Sequence, residues 1–256
     1  MTLIDDLPAL TLSAPVNLRD LGGVPVRDAS VRPGVAIRAD DLALADEDSA
    51  RSLRDAGLAA VIDLRSPDEA AVTGRGPLGS TTVGYHHLPL LARLDDVPAD
   101  GETVLTDQAT YGALYVQMME RSADRLVQAL GVIALAPGAV AFHCSAGQDR
   151  TGVLAAALLL ALGADHEAIV ADYERTGENQ DAIRARTHQV LGPLMARLGV
   201  DLDASARAAT RTEFSGLPMR SLLAHLDATY ADPLQPLRDA GLTDGLVTRL
   251  RERTLA

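Results

Sequence analysis

The sequence contains no lysine and no tryptophan, and it has a single cysteine. One cysteine excludes an intramolecular disulfide and a zinc site built from several thiolates. Aromatic residues make up only 3% of the chain, too few for a base-stacking surface that binds single-stranded nucleic acid. All 23 basic residues are arginine, and 35 acidic residues outnumber them, which gives a net charge of −12. Because such a chain repels phosphate on average, we expect no nucleic-acid partner and no stable membrane association.

The sequence also lacks any obvious targeting or membrane-spanning segment. Residues 1–6 do not show the basic stretch and long apolar run of a signal peptide. The longest apolar run, at 153–164, is too short to cross a bilayer. Hydrophobic residues form 47% of the 256 residues, enough for a sizeable core. We therefore expect a cytoplasmic protein with a single domain over 1–256.

The apolar segments predict an α/β fold with a central, mostly parallel sheet. Runs bounded by turn residues predict strands at 34–37, 58–64, 81–88 and 139–144. Helical patterns lie between these runs, and helices on both faces of the sheet are expected.

Several helices have recognisable ends or faces. Ser66, Pro67 and Glu69 form a capping-box signature at a helix start. The pattern is helical over 108–135, and at 150–162 it is apolar nearly all round, which indicates a buried helix. From 166 to 256 the pattern is almost wholly helical, with breaks expected at 192–193, 199, 216–218 and 232–233. This region exceeds what the sheet needs, so part of it is expected to cover an active site.

The most informative segment is 143–152, which reads His-Cys-Ser-Ala-Gly-Gln-Asp-Arg-Thr-Gly. Cys144 falls at the carboxyl end of a predicted strand, where ligands bind in open α/β sheets, and Arg150 falls at the start of the buried helix. A loop of this length can direct its backbone N–H groups at one tetrahedral oxyanion, and the helix N-terminus adds partial positive charge. The planar fork of Arg150 can bind two phosphate oxygens, while the same surroundings favour the nucleophilic thiolate of Cys144. Gly147 permits a close approach or a backbone conformation that a side chain would hinder.

This segment resembles the signature loop of the cysteine-dependent protein tyrosine phosphatases. More narrowly, it is similar to the bacterial protein-tyrosine phosphatase B-like branch, whose loop reads His-Cys-x-Ala-Gly-Lys-Asp-Arg-Thr-Gly. Further matches to that branch are Asn17-Leu18-Arg19-Asp20-Leu21-Gly22-Gly23, Arg32-Pro33-Gly34 followed by Arg38, Val61-Ile62-Asp63-Leu64-Arg65, and Asp172-Tyr173. The family's serine after the second arginine is Ala39 here.

The resemblance implies a phosphotyrosine phosphatase-like fold with a helical lid within about 177–216. It also implies hydrolysis of phosphate monoesters, above all phosphotyrosine in proteins, through a phosphocysteine intermediate and without a cofactor or metal. The partner is then a phosphorylated protein or a small phosphomonoester.

Each residue of the segment has an expected role. Cys144 attacks phosphorus, and Arg150 binds phosphate and the charge of the transition state. Thr151 donates to the leaving thiolate when the intermediate is hydrolysed, or it only caps the helix. His143 orients the cysteine or the loop, or is a satisfied core histidine. The phosphate cradle is formed by the backbone of Ser145, Ala146, Gly147, Gln148, Asp149 and Arg150.

Two aspartates compete to be the general acid that protonates the leaving group. Asp149 lies within the loop, and Asp63 ends a strand at the same sheet edge; the resemblance makes both of them candidates. As structural alternatives, Asp149 braces the helix start, and Asp63 pairs with Arg65 or a loop amide. We place Asp149 ahead of Asp63.

The main departure from the branch is Gln148, which stands where the family has lysine. The missing charge favours singly phosphorylated substrates over phosphoinositides with several phosphates. A dual-specificity or phosphoinositide phosphatase is the alternative within the enzyme class. From another class, the alternatives are an idle phospho-binding module or a redox-responsive thiol protein.

Other charged residues receive supporting or structural interpretations. Arg19 and Asp20 are expected to pair and support the site. Asp40 and Asp41 are expected in a solvated turn, as are Asp95 and Asp96, and His86 and His87 are read as structural rather than metal-binding. Four arginines could give the lid a positive field, namely Arg184, Arg186, Arg207 and Arg211.

Overall fold

The computed structural model describes residues 10–90, 108–198 and 214–256, and among these it gives no side-chain detail for 108–110 and 190–198. The strands, in chain order, are β1 (Arg19–Asp20), β2 (Pro25–Val26), β3 (Ala29–Ser30), β4 (Ala36–Ala39), β5 (Leu58–Asp63), β6 (Gly84–His87) and β7 (Ala139–His143). The central sheet has the order β1-β4-β7-β5-β6, and β2 pairs with β3 in a separate hairpin. Strands β4, β7, β5 and β6 run parallel, and β1 is antiparallel to β4. The predicted mostly parallel sheet is therefore confirmed.

Helices make up most of the remaining described chain. In chain order they are α1 (Glu47–Asp55), α2 (Pro67–Thr73), α3 (Gln108–Arg121), α4 (Ala123–Leu135), α5 (Asp149–Leu162), α6 (His166–Glu174), α7 (Gln180–Leu198), α8 (Leu217–Thr229), α9 (Gln235–Asp239) and α10 (Asp244–Thr254). Short 3-10 turns lie at Leu42–Leu44, Pro77–Ser80 and Arg175–Asn179. None of the described helices is both long and apolar enough to cross a membrane.

The helix boundaries agree with most of the sequence signals. The capping box is present at the start of α2, where Ser66 and Glu69 exchange side-chain and backbone hydrogen bonds. The helical pattern at 108–135 divides into α3 and α4 on either side of Ser122. The break predicted at 192–193 is wrong, because α7 continues through both residues. A proline in a helix removes one backbone hydrogen bond and often kinks a helix without ending it. The breaks at 216–218 and 232–233 are confirmed, and position 199 lies outside the described residues.

Alternate side chains of the strands pack into two separate apolar layers. Val140 and Phe142 of β7 belong to the larger layer, together with the long helix α5. Ala139 and Ala141 of the same strand point into a smaller layer that includes Leu53 of α1. Helices thus cover both faces of the sheet, as predicted. Every residue of α5 from Thr151 to Leu162 is buried, which fixes the start of this helix against the sheet edge.

Candidate active site

The site lies where the carboxyl ends of β4, β7 and β5 meet at one edge of the sheet. Because these strands are parallel, the residues that follow them are brought together, including Asp40 after β4 and Cys144 after β7. Residues 144–148 form the loop between β7 and α5. Gly147 has a φ of +70°, and a Cβ built there would lie 2.5 Å from the backbone oxygen of Ala39. Only glycine meets both requirements, so its predicted role in the loop is explained.

Hydrogen bonds hold three successive carbonyl groups of the loop on one side. The Ser145 oxygen accepts from the backbone N–H of Asp41 at 3.1 Å. The Ala146 oxygen accepts from Nδ2 of Asn17 at 3.2 Å. The Gly147 oxygen accepts from the same nitrogen at 3.2 Å and from Nη2 of Arg38 at 3.0 Å.

This arrangement turns the following amides towards the cysteine. In a trans peptide unit the C=O and N–H point in opposite directions, so outward carbonyls at 145–147 require inward N–H groups at 146–148. The N–H of Gly147 donates to Sγ of Cys144 at 3.3 Å, which shows which side is inward. Cys144 is 2% exposed, so its sulfur is buried on the side to which the Gly147 amide points. A ring of N–H groups beside a helix N-terminus is a site for a tetrahedral anion.

A buried carboxylate on α6 holds Arg38 directly and holds Asn17 through Arg19. Asp172 accepts from Nε of Arg19 at 3.1 Å and from Nη1 of Arg38. Arg19 also donates to Oδ1 of Asn17 at 2.6 Å, which fixes the orientation of that amide. Burial opposes ionisation of Asp172, but the charges of Arg38 and Arg19 outweigh it and lower the pKa of the carboxyl.

The expected pair between Arg19 and Asp20 is wrong. Asp20 instead accepts the backbone N–H groups of Gly22 and Gly34, at 2.7 and 2.5 Å, and braces a turn. The short carboxylate of Asp20 reaches local N–H groups, whereas the long side chain of Arg19 reaches α6.

Arg150 is fixed by a residue whose role in the site the sequence did not reveal. Its Nη1 and Nη2 donate to the two carboxylate oxygens of Glu69, at 2.5 and 2.9 Å. The same carboxylate accepts from Ser145 Oγ and from the backbone N–H of Ser66. Burial opposes ionisation of Glu69, but Arg150 outweighs it and lowers the pKa of Glu69 to about 2. Because a guanidinium has five N–H donors, Glu69 leaves others for a phosphate.

Thr151 lies in the first turn of α5 and is fully buried. Within the described part of the chain, its hydroxyl oxygen has no hydrogen-bond partner. The start of α5 has no side-chain cap, so the alternative that Thr151 only caps the helix is wrong. A buried hydroxyl of this kind is available to donate to a neighbouring anion.

Asp63 is buried and engaged on both carboxylate oxygens. Arg65 donates to Oδ1 and Oδ2 at 2.9 and 2.6 Å, and the hydroxyl of Tyr85 donates to Oδ2 at 2.7 Å. Burial opposes ionisation, but the hydrogen bonds and the charge of Arg65 outweigh it and hold the pKa of Asp63 well below its usual range. The pairing with Arg65 is the structural alternative described for this residue.

His143 lies beneath the loop in a buried polar cluster. Its Nδ1 is 3.1 Å from the Cys144 carbonyl oxygen and 3.3 Å from the backbone nitrogen of Leu42. Burial lowers the pKa of His143 more than the neighbouring Asp63 and Asp41 raise it. A buried imidazole whose Nδ1 lies against two backbone groups fits the expected supporting role for the loop.

The expectation that Asp40 and Asp41 form a solvated turn is wrong, because they are 1% and 5% exposed. Asp40 accepts the backbone N–H of Asn17 at 3.0 Å and a hydrogen bond from Arg186. Asp41 accepts from Arg65 at 2.9 Å, although burial still raises the pKa of this aspartate. Each carboxylate is buried because an arginine from elsewhere in the chain neutralises it. Asp95 and Asp96 lie outside the described residues.

Asp149 is half-buried at the first position of α5. Its Oδ1 accepts a hydrogen bond from the hydroxyl of Tyr115 at 2.6 Å. That hydroxyl lies 2.7 Å from the hydroxyl of Tyr173. The bond to Oδ1 of Asp149 thus comes from a phenol, whereas Asp63 is also bound by a guanidinium.

Gln148 is buried, and its side chain leaves the loop towards α7, where Nε2 donates to Oε1 of Gln180 at 2.6 Å.

Further along α7, Arg186 is 6% exposed and pairs with Asp40, so the expectation that it adds to a positive lid field is wrong. Arg184 is paired with Asp181 on the surface. Arg207 and Arg211 lie outside the described residues, as does 199–213 of the proposed lid.

Among the described residues, no group of three or more His, Cys, Asp or Glu side chains could hold a metal ion. Of the two adjacent histidines, His87 contacts the backbone oxygen of Arg65 through Nε2 at 2.9 Å.

Comparisons with known proteins place the chain in a family. The triple specificity protein phosphatase PtpB of Mycobacterium tuberculosis is 29% identical, over 92% of this chain and 95% of the relative. A Cupriavidus necator protein with a tyrosine-protein phosphatase name is 32% identical, over 94% of this chain and 86% of the relative. Among solved structures, the pTyr complex of P. aeruginosa TpbA matches with a TM-score of 0.31 and 18% identity, over 70% of this chain and 87% of that chain. The tyrosine phosphatase family matches residues 10–256, so this chain belongs to that family of cysteine-based phosphatases.

Proposed function

We propose that this chain hydrolyses aryl phosphate monoesters, with phosphotyrosine in proteins as the preferred substrate class. The observation that carries the proposal is the conformation of the loop. Its carbonyl groups at 145–147 accept hydrogen bonds on the outer side, and the Gly147 amide donates to Sγ of Cys144 on the inner side. Such a cradle binds the equatorial oxygens of a phosphoryl group and stabilises their charge in the transition state. The family match over residues 10–256 supports one phosphatase domain.

In the first step, the thiolate of Cys144 attacks phosphorus. The S–P bond forms as the bond from phosphorus to the aryl oxygen breaks, and Asp149 gives its proton to the leaving phenolate. The products are a phenol, a phosphocysteine and an ionised Asp149. Arg150, fixed in orientation by Glu69, binds phosphoryl oxygens with its remaining N–H groups.

In the second step, water attacks phosphorus, and Asp149 takes a proton from it. The S–P bond breaks and inorganic phosphate leaves, so the thiolate and the protonated Asp149 are restored. The buried Thr151 hydroxyl, with no hydrogen-bond partner among the described residues, is the donor that we assign to the departing thiolate.

Asp149 is a better general acid than Asp63 on physical grounds. Two N–H groups of Arg65 and the hydroxyl of Tyr85 already bind both oxygens of Asp63, and its lowered pKa opposes the protonated form that a general acid needs. A group that carries no proton cannot protonate a leaving group. We expect Asp63→Asn to weaken folding and Asp149→Asn to slow the release of poor leaving groups.

The environment of Gln148 supports a preference for singly phosphorylated substrates. Its neutral amide is buried against Gln180, so no cation from this position reaches a second phosphate. One relative carries the name of a triple specificity phosphatase, so phosphoserine and phosphoinositides belong in the same assay. If wild type and Gln148→Lys have equal phosphoinositide-to-phosphotyrosine activity ratios, the preference has another origin.

The experiment that tests the function is phosphate release from an aryl phosphate and from a phosphotyrosine peptide. We expect activity that vanadate inhibits, that EDTA leaves unchanged and that Cys144→Ser abolishes while peptide binding is retained. Binding of the peptide by wild type without turnover would instead identify a phospho-binding module. The cytoplasmic location is a separate prediction, which cell fractionation would test.

A further inference from the structure

We propose that Tyr115, braced by Tyr173, is a positioning residue for the general acid Asp149. This inference rests on the proposed function, because it assigns a task to the acid of that reaction. Nothing in the loop sequence points to either tyrosine, since they come from helices α3 and α6.

The contact joins three helices at one buried point. Tyr115 and Tyr173 are 0% and 1% exposed, and Asp149 is the first residue of α5. The Tyr115 hydroxyl lies 2.6 Å from Oδ1 of Asp149 and 2.7 Å from the Tyr173 hydroxyl. The two rings meet edge to face with centroids 6.0 Å apart, and the Tyr173 ring also stacks on Phe214 at 4.9 Å. Both phenols are thus packed in one orientation.

Packing alone does not require these hydroxyls. Burying a phenolic hydroxyl is unfavourable unless it forms hydrogen bonds, and a phenylalanine would fill nearly the same volume. Here the hydroxyls contact each other, and one of them contacts the single carboxylate that the reaction needs as an acid. The chemistry of Asp149 therefore accounts for their presence better than the core does.

The hydrogen bond selects the oxygen from which the acid gives its proton. Tyr115 has one hydroxyl proton and donates it to Oδ1, so the carboxylic proton of neutral Asp149 resides on Oδ2. This fixes the rotation of the carboxyl group and presents one O–H donor to the leaving group. Loss of the phenol removes this bond at Oδ1, so the proton is less strictly confined to Oδ2 and fewer encounters have the donor in line.

The test compares kcat/KM across aryl phosphates whose leaving phenols range from weakly acidic to strongly acidic. General acid catalysis matters most for weakly acidic phenols, because strongly acidic ones leave as anions. For Tyr115→Phe we expect roughly a tenfold loss with phenyl phosphate, and less than about twofold with a dinitrophenyl phosphate. Vanadate affinity should stay within about twofold, because the amide cradle is unchanged. The matched control is Tyr230→Phe, whose hydroxyl lies 2.9 Å from Glu120 away from the site, and it should match wild type on every substrate.

Two further variants separate the possible failures. Tyr173→Phe leaves the contact between Tyr115 and Asp149 in place, so it should show a smaller loss in kcat/KM with the same dependence on the leaving group. This variant also tests the proposal if Tyr115→Phe does not fold. Asp149→Asn should show the same dependence with a larger loss, about 100-fold on phenyl phosphate.

Equal losses on all substrates, or no loss, in Tyr115→Phe would overturn the positioning role. If only Asp149→Asn shows the dependence, the tyrosine inference fails and the function stands. If Asp149→Asn lacks it, the assignment of the acid fails. Turnover by Cys144→Ser would remove the proposed function itself.

Discussion

Replacing Asn17 with aspartate removes the loop's outward hydrogen bonds while keeping the shape of the side chain. Nδ2 of Asn17 donates to the carbonyl oxygens of Ala146 and Gly147, both at 3.2 Å. A carboxylate cannot donate a hydrogen bond, so both bonds are lost, and the negative carboxylate oxygen then faces the partly negative carbonyl oxygens. Its Oδ1 keeps the contact with Arg19, but the new charge also lies near Asp40, which binds the backbone N–H of residue 17.

The magnitude follows from the number of bonds that are lost. Each neutral hydrogen bond contributes about 1 kcal/mol net, and leaving a buried carbonyl unpaired adds about 1 kcal/mol more. The Gly147 carbonyl keeps Arg38, so only the Ala146 carbonyl is orphaned. The loop conformation is then destabilised by about 2 to 3 kcal/mol, which corresponds to roughly a 30- to 150-fold fall in kcat/KM.

The assay for Asn17→Asp is kcat/KM on an aryl phosphate, with vanadate affinity and thermal unfolding measured on the same preparations. We expect vanadate affinity to fall together with kcat/KM, because both depend on inward amides. Asn179→Asp is the control, since it adds the same charge to a half-buried residue that makes no hydrogen bond to the loop within the described part of the chain, and it should leave activity within about twofold. Asn17→Asp with activity within threefold of wild type would refute the reasoning that outward carbonyls hold the cradle.

Three other predictions concern the loop and its carboxylate partner. Gly147→Ala should lose more than tenfold in kcat/KM, because φ is +70° and the new Cβ would lie 2.5 Å from the Ala39 oxygen; a variant with normal kinetics would contradict this. Glu69→Gln should lower kcat about tenfold in steady-state assays, because Arg150 is then held less firmly. The control is Glu167→Gln, which alters an exposed bidentate pair with Arg220 and should change kcat less than twofold. The pKa of Glu69 is about 2, below its ordinary 4.5, so its stabilisation is present above pH 4.5 and is lost as pH falls towards 2. Across that range the wild-type Tm should fall more steeply than that of Glu69→Gln, and parallel curves would refute the linkage.

The charges around the site balance, although the whole chain is strongly acidic. Five largely buried arginines pair with five carboxylates, in the sets Arg150 with Glu69, Arg19 and Arg38 with Asp172, Arg65 with Asp63 and Asp41, and Arg186 with Asp40. Attraction for a phosphate therefore comes from the inward-pointing N–H groups of the loop and from the N-terminus of α5 more than from excess positive charge.

The local sequence was enough to predict the elements that carry the chemistry. Cys144 and Arg150 flank a strand–loop–helix junction, and the apolar run after Arg150 predicts the buried helix that fixes the loop. The capping box at Ser66 also formed as predicted, because its signals lie within three residues.

Long-range pairings could not be predicted in this way. Glu69 reaches Arg150 across 81 positions in the sequence, and Arg186 reaches Asp40 across 146. The pair Asp40-Asp41 reads as solvated because the arginines that neutralise it are distant in sequence. Glu69 was recognised as part of a capping box, but nothing in the neighbouring sequence indicated that it also binds Arg150.

The most direct test of the central claim is to trap the phosphoenzyme. Wild-type protein is mixed with an aryl phosphate, quenched with acid within milliseconds, digested and analysed by mass spectrometry. Because Cys144 is the only cysteine in the sequence, a phosphoryl group on that side chain identifies the nucleophile without ambiguity. We predict phosphocysteine at residue 144, with none in Cys144→Ser. A phosphoryl group on another residue, or turnover with no phosphoenzyme at any quench time, would contradict the account.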